Sequence, residues 1–83
     1  MGSAGEKLLE QMRSAKAGWK PDDLHRLFMY FGFRCREGGK HRIYIHEKHT
    51  DVRDTVSRHG ELPVGYVQDA VKKVDEVLRR ERR

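Results

Sequence analysis

Phe33-Arg34-Cys35-Arg36, then Glu37-Gly38-Gly39-Lys40, then His41-Arg42-Ile43-Tyr44-Ile45-His46: this stretch decides the fold. Alternation with a period of two on either side of a glycine pair predicts a β-hairpin, since glycine supplies the positive φ that a tight turn demands. A polar loop over 47–51 follows, and a third strand is expected from about Val52 to Ser57, leading through His59-Gly60 toward Pro63. Within the second strand His41 is in phase with Ile43 and Ile45, while Arg42, Tyr44 and His46 share the other face. The apolar pair predicts that the His41 face looks toward the helices, with His41 at the strand's first residue still partly open at the sheet edge.

Helices are expected on both sides of the strands. Ser3 and Glu6 have the spacing of a capping box, and Leu8, Leu9 and Met12 fall at helical offsets, so a first helix runs to about Ala15. Gly18 and Trp19 connect it to a second helix that starts at Lys20-Pro21-Asp22-Asp23, with proline in the first turn and acids favoured by the dipole. Leu24, Leu27, Phe28 and Phe31 form its apolar stripe, and Gly32 is placed to end it. A long closing helix carries Val64, Val67, Val71, Val74 and Leu78 along one face, with Ala70 and Val77 beside it. The expected class is α+β in the order α-α-β-β-β-α. Two helices cover one face of a three-stranded antiparallel sheet, an extra helix stands at the N-terminus, and the opposite sheet face is open.

With 83 residues there is room for one domain, 1–83, in which 3–16 form the N-terminal helix extension, 20–78 the core and 79–83 a basic tail. So small a chain favours a shallow surface site and a polymeric substrate. Eighteen Lys and Arg against thirteen Asp and Glu give +5, with a pI near 9.7, which favours an anionic partner such as nucleic acid. Cys35 is the sole cysteine, so no internal disulfide can form and a reducing cytoplasm is the expected compartment. No stretch approaches the ~20 apolar residues of a membrane span. Five histidines raise the question of a metal, but His46-x-x-His49 lacks a second pair, so neither metal nor cofactor is expected.

The chemistry points to His41. Imidazole titrates near neutrality and exchanges protons with hydroxyls, while Lys40, Arg42 and Arg36 around the same hairpin would hold a phosphate. Gly38-Gly39 joins two strands and does not open a helix, so it is read as a turn and not as a phosphate-binding loop. His59 is a possible auxiliary group, or a residue that only ends the third strand. The binding alternative is a non-catalytic RNA module that uses the same cations, and the interaction alternative is a protein partner docked on the open sheet face or near Trp19.

Several segments resemble the HicA (YcfA-like) toxins of bacterial toxin-antitoxin systems: Asp23-Leu24-x-x-Leu27 through Phe31-Gly32-Phe33, Gly39-Lys40-His41-Arg42-Ile43-Tyr44, and Thr55-Val56-Ser57-Arg58-His59-Gly60-Glu61-Leu62 with the helix after it. The resemblance covers roughly 20–78. It implies a fold similar to the double-stranded RNA-binding domain, ribosome-independent cleavage of mRNA, and a HicB-like antitoxin that covers the active histidine, which corresponds to His41. Glycine 39 belongs to the matching motif. Two positions depart: the family's glycine-serine-histidine is Gly39-Lys40-His41 here, and its proline after the strand valine is Ser57. Lys40 either offers phosphate a charge contact in place of a hydroxyl contact or marks a member that binds RNA without cutting it.

Overall fold

The computed structural model describes residues 3–57, 60 and 62–82. Its elements are α1 (Ala4–Ser14), α2 (Pro21–Tyr30), β1 (Phe33–Gly38), β2 (His41–His46), β3 (Arg53–Ser57) and α3 (Val64–Glu81). The three strands form one antiparallel sheet in the order β1-β2-β3. The expected α+β class, element order and open sheet are all present.

Local chemistry accounts for several of these boundaries. Ser3 Oγ accepts the Glu6 N–H at 3.2 Å and Glu6 Oε1 accepts the Ser3 N–H at 3.1 Å, which satisfies two donors at the start of α1. At α2 the Asp23 carboxylate accepts the Lys20 N–H at 2.9 Å, and Pro21 fills the first turn where no donor is needed. Gly32 ends α2 at a φ of +88°, and a Cβ there would lie 3.1 Å from His46 Nε2. The hairpin turn is tighter than the sequence suggests. Gly38 pairs with His41, so Gly39 and Lys40 alone form the loop and β1 extends to Gly38. Gly39 has a φ of +53°, the glycine-first arrangement that matches the twist of the flanking strands.

The core lies between the sheet and the helices. Leu24, Leu27 and Phe28 from α2 meet Val67, Ala70, Val71, Val74 and Val77 from α3 over Phe33, Tyr44 and Val56 of the sheet. Phe28 stacks on Tyr44 with centroids 4.6 Å apart and meets Phe33 edge-on at 4.8 Å, so three rings join α2 to β1 and β2. Leu9 and Met12 of α1 are buried in the same cluster, against α2 and α3. Val64 at the start of α3 is exposed, and the buried stripe of that helix is centred on Val67, Ala70, Val74 and Val77. The connector is pinned by Trp19 Nε1, which donates to Ala15 O at 2.7 Å, and by the Leu62 N–H, which donates to Trp19 O at 3.1 Å.

The orientation of β2 is the reverse of the expected one. Tyr44 and His46 are buried and Arg42 is mostly covered, whereas His41 is exposed and Ile43 and Ile45 are half-buried. Strand register explains the inversion. Phe33 pairs with His46, Cys35 with Tyr44 and Val56 with Arg42, so the largest apolar groups of all three strands share the phase of Arg42, Tyr44 and His46. A buried aromatic contributes more than an isoleucine at the margin of a small sheet.

α3 continues to Glu81, which places Arg79 and Arg80 in its last turn, where the dipole favours cations. Arg80 binds both oxygens of Asp51, at 2.9 and 2.8 Å, and Glu76 at 2.8 Å, clamping the β2–β3 loop onto the helix. The hydrogen bond from Arg80 holds the Asp51 carboxyl at about 2, against an ordinary 3.8. A depressed carboxyl stabilises the fold above its ordinary value and ceases to do so as pH falls through about 2. Carbon-13 carboxyl titration should therefore show the Asp51 midpoint returning to about 4 in Arg80→Ala. An unmoved midpoint would detach Arg80 from this effect.

Candidate functional site

The residues singled out in the hairpin are divided between the two sheet faces. On the open face, each rung has one residue from each strand: Gly38, His41 and Ser57; Arg36, Ile43 and Thr55; Arg34, Ile45 and Arg53. His41 is exposed there, at the first residue of β2 and directly after the turn. Arg36 is one rung away, about 7 Å along the strand at ~3.4 Å per residue. Lys40 is exposed in the turn itself. His59 lies outside the described residues.

Arg42 is on the opposite face. Its side chain is 19% exposed and paired with Asp22 at 3.3 Å and Glu37 at 3.6 Å. These carboxylates neutralise it beneath the sheet. It is also a neighbour of the Tyr44 hydroxyl, to which His25 Nδ1 comes within 2.8 Å. Burial pushes the Tyr44 phenol well above its ordinary range, Cys35 adds to this, and Arg42 opposes it. Arg42, Tyr44, His25 and Asp22 thus form a polar seam joining the hairpin to α2. Arg42 cannot converge with Lys40 on a phosphate at His41 from there.

His46 is structural. Nδ1 accepts the N–H groups of Lys48 at 3.1 Å and His49 at 3.0 Å, so the proton sits on Nε2, which donates to Phe31 O at 3.1 Å. With both nitrogens engaged and 3% exposure, it has no lone pair free for a metal.

The open face carries cations that the hairpin motif does not reveal. Arg34 pairs with Glu47 at 2.8 Å, both side chains being exposed, and Arg53 donates to Thr50 O at 2.9 Å. Among the described residues, Arg36, Lys40 and Arg53 form no ion pair. On the helical side the arginines are paired, Arg26 with Asp23 at 2.6 Å, Arg13 with Glu10 at 3.0 Å and with Asp75, and Arg80 with Asp51, whereas Lys7 and Lys72 form no ion pair among the described residues. Counting in twos from His41 across the hairpin would have found Arg34 as well as Arg36. Arg53 requires the β2–β3 register, which the sequence does not specify.

This surface can present an imidazole, a flexible ammonium and guanidinium groups to an anionic polymer, around two half-buried isoleucines. Comparison with protein-family models, with curated proteins and with solved structures gives no match to this chain.

Proposed function

We propose that the chain is an RNA-binding endoribonuclease of the HicA (YcfA-like) toxin type, which cuts mRNA in the cytoplasm and is held in check by a HicB-like antitoxin. The observation that carries this reading is the exposed His41 on the open sheet face beside unneutralised Lys40 and Arg36. The order α2-β1-β2-β3-α3, with both helices on one face, supports a likeness to the double-stranded RNA-binding domain.

RNA brings its own nucleophile, the 2′-hydroxyl next to the scissile phosphate, so the protein need only align it, move a proton and stabilise charge. His41 accepts the 2′-hydroxyl proton as the oxygen attacks phosphorus, or donates a proton to the departing 5′-oxygen. Lys40 and Arg36 stabilise the phosphorane-like charge. One bond to phosphorus forms and one breaks, leaving a 2′,3′-cyclic phosphate and a 5′-hydroxyl.

A non-catalytic RNA-binding module is the second reading. It is favoured by Arg42, whose pairing with Asp22 and Glu37 leaves the imidazole with fewer cations than the motif suggests. Incubation of mRNA with the protein in EDTA separates the two. The nuclease produces new 5′-hydroxyl termini that disappear when the ribose at the cut is 2′-deoxy, whereas the binding module gives salt-sensitive retention and no new ends.

A further inference from the structure

The open face is not uniformly flat. Between Arg34 and Arg36, at the free edge of β1, lies a hollow of about 430 Å³, lined also by Cys35, Ile45, His46, Glu47 and Thr50. Its Arg34, Arg36 and Ile45 share the face of His41, displaced along the strand by one and two rungs, while Cys35 and His46 close it from the other phase. Those rungs lie roughly 7 and 14 Å from His41 at ~3.4 Å per residue, within reach of a nucleotide close to the phosphate held there. Ile45 gives the hollow an apolar floor. Arg34, held by Glu47 at 2.8 Å, and Arg36, free of any ion pair among the described residues, provide two guanidinium groups as walls.

We propose that the open face carries a single RNA strand and that the hollow between Arg34 and Arg36 takes one unstacked base displaced along the strand from the phosphate at His41. The proposal rests on the reading of this face as RNA-binding and adds which form of RNA it accepts. An aliphatic floor and guanidinium planes suit the flat face of a base, and such a face is available only where the base has left a helical stack. A duplex offers its phosphates and groove edges instead. The first turn of α2 is poorly suited to those, because it carries Asp22 and Asp23, and Arg26 and Arg42 are already paired with them.

The test uses His41→Ala protein, so that RNA remains intact, with a short labelled RNA whose bases are removed one position at a time. Fluorescence anisotropy should show the single strand bound about tenfold or more tighter than its own duplex, a difference of ~1.4 kcal/mol. One abasic position should weaken binding by about 5- to 100-fold while its neighbours have little effect. Arg36→Ala, an exposed change that leaves the core untouched, should weaken binding and lower the slope of log K against log salt by about one. A flat abasic profile, or a duplex bound as tightly as the single strand, overturns the proposal. Failure here is distinct from failure of the nuclease reading. Wild-type cleavage with a flat profile removes the hollow and keeps the chemistry, whereas a peaked profile without cleavage keeps the hollow and removes the chemistry.

Discussion

Replacing His41 by alanine should lower RNA cleavage by about 10²- to 10⁴-fold, the usual contribution of a positioned acid or base. The same change should leave the fold almost untouched. His41 is exposed at the edge of β2, outside the hydrophobic cluster, so its truncation belongs with surface substitutions that alter stability by no more than about 0.5 kcal/mol. The two readouts together make the test specific: activity lost with an unchanged denaturation midpoint assigns a chemical role to the imidazole. Lys40→Ala should weaken binding and cleavage together. Arg42→Ala is the instructive contrast. With its guanidinium tied to Asp22 and Glu37 beneath the sheet, its removal should act through stability, and a stabilising buffer should restore cleavage. Undiminished cleavage by His41→Ala removes this residue from the mechanism.

The helices and the hairpin were legible because each depends on local pattern. Leu24, Leu27 and Phe28 form a stripe at helical spacing, Ser3 and Glu6 satisfy each other's backbone donors, and Gly32 and Gly39 occur where positive φ is needed. The face assignment of β2 was not legible from β2 alone, since both of its phases contain an apolar residue. Ile43 and Ile45 outnumber Tyr44, but stability follows buried area summed across strands. The decisive residues were on β1: in any hairpin with an even loop, Phe33 and Cys35 share a face with Arg42, Tyr44 and His46. That parity brings His41 to the open side, where an acid or base can meet a polymer. Arg42, its sequence neighbour, is sent to the other side by the same alternation. Adjacent residues in a strand rarely serve one site unless they sit at a turn, as Lys40 does.

A large stability effect is expected at His46, a residue that sequence spacing alone made a weak metal candidate. Its ring closes three elements at once: Nε2 holds the carbonyl of Phe31 at the end of α2, Nδ1 receives two backbone donors of the β2–β3 loop, and the ring packs edge-on against Phe33 at 5.0 Å. In His46→Ala the Lys48 and His49 donors lose their acceptor and a cavity opens beside Phe33. The cost should be about 2–4 kcal/mol. A domain of this size has roughly 4–12 kcal/mol in total, at ~0.05–0.15 kcal/mol per residue. His46→Asn keeps an acceptor near the position of Nδ1 but loses the donor to Phe31, so it should recover part of that loss and provide a folded variant if the alanine form does not accumulate. Urea denaturation with an unchanged m-value measures both. An asparagine variant no more stable than alanine would show that ring packing against Phe33, and not the loop donors, accounts for the effect. His46 is buried under the sheet while His41 is exposed on the opposite face, so folded His46→Asn protein should retain whatever cleavage the wild type shows. Loss of cleavage there would mean that the clamp beneath the sheet also sets the geometry of the face above it.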